Sequence, residues 1–314
     1  MDNFGMSRKA ILSKIQTRLA GLCETKSHRT EIDFLTLYKT TRKTDPVLFV
    51  YEPRIYIVIQ GQKEISVLDR RYVYNETQYL VSTIDIPVSG MITEASAERP
   101  YLAMCLSFSP LEIFEIISAI GGPPDTALSP RFGMGLSALT QDLLDAVWRL
   151  LNCLPEPSAR SFLAPRIKQE IIYRMLHGAQ GSTLCEIANY RSDLSGINRA
   201  ILYLRQHFRE NFEISVLSEC AGMSQSKFYQ RFHDATHLTP VQYRLRLRVQ
   251  EARRLMLHEG QRVAEAGFNV GYDSPSQFNR EYKKLLGLPP HADIRRIRAI
   301  GMDQYCEDNE EVWL

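Results

Sequence analysis

Between His28 and His177 the chain has no histidine, so a fold built from that stretch has no imidazole ligands. Transition-metal centres commonly draw on imidazole, so no metal and no other cofactor is expected there. The six cysteines, Cys23, Cys105, Cys153, Cys185, Cys220 and Cys306, form no C-x-x-C pair and no Cys/His cluster at zinc spacing. Isolated cysteines of this kind read as reduced, buried thiols. No apolar run approaches the roughly 18 residues of a spanning helix, so no membrane partner is expected. Met1 to Leu22 also lacks the apolar run of an export signal. Its Ile11, Ile15, Leu19 and Leu22 recur instead at helical spacing, which predicts an amphipathic helix in a cytoplasmic protein.

What is present is unevenly charged. The 314 residues suggest about two domains. Residues 1–195 carry 21 basic and 21 acidic side chains, whereas residues 196–300 carry 17 basic and 10 acidic. Residues 301–314 carry five acidic side chains and no basic one. Only the middle block has the positive balance that attracts a polyanion.

From Val47 to Phe108 short β-rich runs alternate with turns. Tyr56–Ile59 meets the turn Gln60-Gly61-Gln62, and Ile65, Val67 and Leu68 follow; further runs lie at Tyr72–Tyr74, Tyr79–Thr83, Val88–Thr93 and Tyr101–Phe108. This pattern predicts a small antiparallel sandwich or barrel. Ser109-Pro110-Leu111-Glu112 reads as a capped helix start. Helical periodicity then covers about 110–120, 136–152 and 162–177. Asn198 to Arg298 reads as all helix.

One pattern occurs twice in that last third. Ser218, Gly222, Ser224, Phe228 and Phe232 are matched by Gly267, Gly271, Ser274, Phe278 and Tyr282, offset by 49 residues before the turn and 50 after it. Each copy supplies a small residue for close helix packing, a glycine for a left-handed turn, and a serine to cap the next helix. Ser274-Pro275-Ser276-Gln277 has the form of a capping box. The aromatic pair of each second helix faces the core. The opposite face presents Ser226, Tyr229, Gln230 and His233 in one copy, and Ser276, Gln277, Asn279, Arg280 and Lys283 in the other. Such side chains suit the reading of base edges, and a helix-turn-helix sets its second helix in the major groove of duplex DNA. Between the copies, Pro240 to His258 carries Arg244, Arg246, Arg248, Arg253 and Arg254 on a predicted helix. At about 28 Å, that helix can hold two reading heads near the ~34 Å repeat of one face of DNA.

These residues resemble the AraC family of bacterial regulators. VAEAGFNVGYDSPSQFNREYKKLLGLPP (263–290) and LSECAGMSQSKFYQRFHDATHLTPVQY (217–243) carry the likeness, which runs from Ile197 to Pro290. Two positions depart from it: the family usually has alanine where Ser218 and Gly267 stand, and glycine inside a helix costs about 1 kcal/mol relative to alanine. YEPRIYIVIQGQKEISV (51–67), YLVSTIDIPVSGMITEAS (79–96), Pro100-Tyr101-Leu102 and EIIYRMLHG (170–178) resemble the family's cupin-like N-terminal domain.

The resemblance implies an α+β chain of two main domains: a small cupin-like β-barrel with a helical connector, then an all-α domain with two helix-turn-helix motifs. The expected divisions are an N-terminal helical segment (1–44), a sensing domain (45–122), a connector that can dimerise (123–195), a DNA-binding domain (196–298) and an acidic tail (299–314). Base contacts are expected from Ser226, Tyr229, Gln230, Ser276, Gln277, Asn279 and Arg280. Phosphate contacts are expected from Lys227, Arg231, Lys283 and Lys284. An effector pocket is expected from Tyr51, Arg54, Tyr56, Asp85, Tyr101 and Cys105. The implied partners are double-stranded DNA, RNA polymerase, a small-molecule effector and a second copy of the chain. Enzyme readings fail on the residues. Ser224-Gln225-Ser226-Lys227 has the S-x-x-K form of serine β-lactamases, but the companion motifs are missing and the serine stands where a helix cap is needed.

Overall fold

The computed structural model describes residues 7–23, 27–124 and 132–300. The chain divides into two compact units: residues 1–47, 52–84 and 90–192 form the first, and residues 48–51, 85–89 and 193–314 the second.

The first unit begins with α1 (Arg8–Leu22), capped by Ser7, whose side chain accepts from the Ala10 amide. Ile11, Ile15 and Leu19 bury one stripe of it, as their spacing requires. The strands of the chain, of which residues 48–51 and 86–89 fall in the second unit, are β1 (Ser27–Arg29), β2 (Leu35–Thr40), β3 (Val47–Tyr51), β4 (Arg54–Gln60), β5 (Gln62–Val67), β6 (Arg70–Asn75), β7 (Gln78–Ser82), β8 (Ile86–Glu94), β9 (Tyr101–Ser107) and β10 (Met134–Ala138). They form a six-stranded sheet in the order β1-β2-β9-β4-β7-β10 and a four-stranded sheet in the order β3-β8-β5-β6. At the turn between β4 and β5, Gly61 has φ 85°, and a Cβ there would lie 2.5 Å from the Glu94 carbonyl oxygen. Only glycine fits that position.

Two departures from the sequence reading concern strands at or next to the edges of the six-stranded sheet. Residues 27–40 do not continue the N-terminal helical segment: β2 alternates Leu35 and Leu37 inward and pairs with β9 from Leu35↔Leu106 to Thr40↔Tyr101. Nor does helix begin at residue 136. Met134–Ala138 pairs with β7 as β10, from Met134↔Ser82 to Ala138↔Gln78, and α3 (Gln141–Asn152) starts after the Thr140 cap. The acidic run of the tail, residues 301–314, lies outside the described residues.

The helix start at Ser109 forms as its sequence indicates. In α2 (Pro110–Ala119) the Ser109 hydroxyl accepts from the Glu112 amide at 3.2 Å, while the Glu112 carboxylate accepts from the Ser109 amide at 2.8 Å. Glu112 also pairs with Lys168 of α4 (Pro157–Leu176) at 2.5 Å. Burial opposes ionisation of Glu112, but Lys168 and the Ser109 amide outweigh it and hold its pKa below the ordinary value. Next to α4, α3 is joined to it by Arg149–Glu170 at 2.7 Å and Arg174–Asp142 at 2.6 Å. A short α5 (Gly181–Ala188) completes this unit.

The second unit is built on α6 (Asp193–His207), α7 (Ile214–Ala221), α8 (Gln225–Thr236), α9 (Pro240–His258), α10 (Val263–Asn269), α11 (Pro275–Leu286) and α12 (Pro290–Ile300), together with strand segments 48–51 and 85–89. One core cluster joins Val249, Ala252 and Met256 of α9 to Phe278 and Tyr282 of α11, Ile294 and Ile297 of α12, and Leu48.

Candidate nucleic-acid interface

The repeat seen in the sequence recurs hydrogen bond for hydrogen bond. Gly222 N–H donates to the Glu219 carbonyl and Met223 N–H to Ser218, both at 2.9 Å; 49 residues on, Gly271 N–H donates to Phe268 at 2.9 Å and Tyr272 N–H to Gly267 at 3.0 Å. Gly222 and Gly271 have φ 68° and 91°, left-handed values that close a helix end with little strain only at glycine. The chain then enters α8 after Ser224, whose hydroxyl accepts from the Lys227 amide at 3.4 Å. In α11 the expected capping box does not form. Ser274 makes no side-chain cap bond, and Gln277 Nε2 donates instead to Glu281 Oε1 at 3.1 Å. Pro275 at the first helical position already fixes φ for the helix start.

The inward aromatics set the roll of each helix. Phe228 and Phe232 lie 5.4 Å apart between ring centres, and Phe278 and Tyr282 lie 5.5 Å apart; all four are fully buried. Gly267 finds its reason here. A Cβ at that position would stand 3.0 Å from Phe278 Cδ1 and 3.1 Å from Cγ, so the missing methyl lets the Phe278 ring lie close on α10. The helix-propensity cost is exchanged for ring packing.

With the rings buried, Ser226, Lys227, Tyr229 and Gln230 of α8 face solvent, as do Ser276, Gln277, Arg280, Lys283 and Lys284 of α11. Asn279 is half-buried, and its Nδ2 donates to the Pro275 carbonyl at 2.9 Å. Arg280 has no ion-pair partner among the described residues. Lys227 and Arg231 are differently placed: both reach Asp193 at the start of α6, at 2.7 and 2.8 Å, and Arg231 also approaches Asp234 at 3.4 Å. Arg231 is the more enclosed, with 19 % of its side chain exposed.

The arginines of α9 serve the interior. Arg248 donates to the carbonyls of Phe208, Arg209 and Glu210 at 2.7, 2.8 and 3.3 Å. It thereby caps the region just past α6, where unpaired carbonyls carry the negative end of the helix dipole. Burial, then the nearby Arg244 charge, lowers the Arg248 pKa. Arg244 donates to the Glu210 carbonyl at 3.0 Å and lies over the Phe212 ring. Arg253 is buried against Asp293 at 2.9 Å. Most of the positive balance of this helix therefore does not lie on an open surface. The sequence reading missed this; the one available signal is the alternation of these arginines with Leu247, Val249 and Ala252 along the helix.

Of the six expected pocket residues, Arg54, Tyr56, Tyr101 and Cys105 fall in the first unit and Tyr51 and Asp85 in the second. Tyr51 and Asp85 belong to the second unit, where Asp85 accepts from Arg205 at 2.7 Å and, through its carbonyl, from the Tyr243 hydroxyl at 2.9 Å. Arg54, Tyr56 and Cys105 do gather in the first unit. Arg54 Nη1 lies 3.6 Å from Cys105 Sγ and Nη2 lies 2.7 Å from Glu52, and the Tyr38 hydroxyl is also 3.6 Å from Sγ. Burial pushes the Tyr56 phenol up. Burial alone would lower Arg54, but Cys105, Tyr56 and Glu52 outweigh it and hold the guanidinium above its usual value. Tyr101 stands at the far end of β9, beside Gly61. Among the described residues no group of three or more His, Cys, Asp or Glu side chains is placed to hold a metal ion, and no helix is long and apolar enough to cross a membrane.

Comparison with known proteins agrees with this division. A family model described as the AraC-type transcriptional regulator N-terminus matches residues 31–183, and one described as a helix-turn-helix domain matches residues 217–296. The MmsAB operon regulatory protein of Pseudomonas aeruginosa is 32% identical over 123 residues, covering 37% of this chain and 39% of that protein. The transcriptional activator RhaS of Escherichia fergusonii is 26% identical over 165 residues, covering 52% and 58%. The chain thus spans well under two thirds of the length of either relative. A solved structure of ToxT from Vibrio cholerae aligns over 85% of this chain and 98% of its own with a TM-score of 0.53 at 8% identity, a likeness of fold alone. The matched N-terminus and the duplicated turn of the helical unit lie in the same order along one sequence, and the chain belongs to the AraC family of transcriptional regulators.

Proposed function

We propose that the chain regulates transcription by reading a duplex DNA site with α8 and α11, laid into successive major grooves and held apart by α9. The observation that carries this is the duplicated turn, which leaves one polar, solvent-facing strip on each second helix. Ser226, Tyr229, Gln230, Ser276, Gln277, Asn279 and Arg280 are assigned to base edges. Lys227, Arg231, Lys283 and Lys284 are assigned to phosphates, which position the protein without specifying sequence. Replacing Arg280 by alanine is expected to weaken binding by about 1–3 kcal/mol and relax base preference locally, whereas Lys284→Ala weakens all sequences alike. Footprinting and gel-shift titration of both variants test this. Unchanged affinity and unchanged base preference for Arg280→Ala would overturn the assignment.

To the first unit we assign dimerisation with a second copy and the response to a small, weakly polar effector of electrophilic character; RNA polymerase is the partner at the promoter. The Arg54–Cys105–Tyr38 cluster supports the effector reading, since it sets a thiol beside a cation and a phenol. Cys105→Ser is expected to abolish reporter induction by aldehydes while leaving DNA affinity intact. Induction that survives the change excludes covalent capture at Cys105.

A further inference from the structure

The middle of α9 is enclosed on every side: each residue from Arg246 to Arg253 is buried. Successive helical residues step round the axis by about 100°, so the direction of each side chain follows from its neighbours. The Tyr243 hydroxyl donates to the Asp85 carbonyl at 2.9 Å, which turns that side of α9 toward segment 85–89. Val249 belongs to the core cluster that also holds Leu48, Phe278 and Ile297, which marks a second side of α9. Arg246 and Gln250 fall on the arc between these two markers, one helical turn apart. All of these residues belong to the second unit.

Arg253 falls on the same arc and pairs with Asp293, whereas the Arg246 and Gln250 side chains are open. Gln250 is 3 % exposed, and its Oε1 and Nε2 are buried without a hydrogen-bond partner. Arg246 is 9 % exposed and has no hydrogen-bond or ion-pair partner among the described residues. Burial lowers its pKa, with no neighbouring charge to offset it. Every other arginine that α9 buries is engaged: Arg248 with three carbonyls and Arg253 with Asp293. A largely buried guanidinium without a counter-charge, beside a fully buried amide open at both ends, is costly to maintain. It calls for a partner that brings negative charge to one residue and both a donor and an acceptor to the other.

We propose that this arc of α9 binds a small hydroxycarboxylate. The carboxylate sits on the Arg246 guanidinium and takes a hydrogen bond from Gln250 Nε2; the hydroxyl donates to Gln250 Oε1. A plain carboxylate has no donor and leaves Oε1 open, so the amide discriminates for the hydroxyl. This site is separate from the Cys105 cluster, and its occupancy is measurable without DNA, so it stands or falls apart from the regulatory reading above.

The test is thermal unfolding of the full chain with three probes at matched millimolar concentration: 3-hydroxybutyrate, butyrate and 1,3-butanediol. The hydroxy acid is expected to raise Tm by about 3 °C or more, butyrate by less, and the diol not at all. Arg246→Gln removes the response to both acids. Gln250→Leu, a substitution of similar size that closes the open amide, keeps the fold and makes the two acids equivalent. The proposal is overturned if no probe shifts Tm, if the diol acts as well as the acids, if the parent fails to distinguish the two acids, or if the hydroxy acid acts unchanged on Gln250→Leu.

Discussion

Gly271→Ala is expected to cost the second unit about 4 kcal/mol or more, while Gly222→Ala, the same change at the matching position of the first repeat, costs about 1–2 kcal/mol. The backbone demand is similar, with φ 91° and 68°. The surroundings are not. A Cβ on Gly271 would stand 1.8 Å from the Arg209 carbonyl oxygen, 2.7 Å from its carbon and 2.8 Å from Arg248 Nη2. Backbone there cannot yield without releasing the grip of Arg248 on the end of α6. A Cβ on Gly222 would meet only Arg199 Nη2, at 3.9 Å. Urea unfolding of the two variants, with matched m values, checks the contrast. Equal losses at the two sites would mean that the left-handed backbone alone, and not the close approach, sets the demand for glycine at residue 271.

That contrast also marks how far the sequence carries. Both glycines, both serines and the four inward rings are legible from spacing, because a helix-turn-helix allows few residue types at each of those positions. What lies against a glycine is not legible, since Arg209 reaches Gly271 across 62 residues of chain. The exposed strips of α8 and α11 follow from helical period alone. The arginines of α9 do not: period places them on the helix, but only the packing of α6 and α12 against it turns Arg248 and Arg253 inward. β2 pairs with β9 and β10 with β7, in each case across more than 40 residues, and their short runs, six and five residues, carry little signal of their own. Among the residues expected to line a pocket, the partner of Asp85 is not legible for a similar reason. Residue type suggests a lining, whereas Asp85 is claimed by Arg205 from 120 residues away.

Arg253→Met is expected to cost about 3–5 kcal/mol, and adding Asp293→Leu is expected to restore much of it. Arg253 approaches Asp293 at 2.9 Å with 5 % and 2 % of the two side chains exposed. The Tyr282 hydroxyl donates to Asp293 Oδ2 at 2.8 Å, and Arg296 lies 3.5 Å from Oδ1. Removing Arg253 alone leaves a carboxylate enclosed between α9, α11 and α12 with its main counter-charge gone. Removing both leaves an apolar gap that the introduced methionine and leucine side chains partly fill, and two buried charges no longer have to be stripped of water. Chemical unfolding of the two single variants and the double variant gives the coupling between them. The same variants read out function, because Tyr282 belongs to α11 and its hydroxyl fixes that helix against α12. The double variant loses this hydrogen-bond acceptor even where its stability recovers. Its α11 is then less firmly held, so its preference for the base pairs that the proposal gives to Ser276 and Arg280 is expected to fall, while general affinity for DNA, which the proposal gives to the exposed lysines, changes little. A double variant that regains both stability and full base preference would show that Asp293 serves packing only and that α11 needs no anchor through Tyr282.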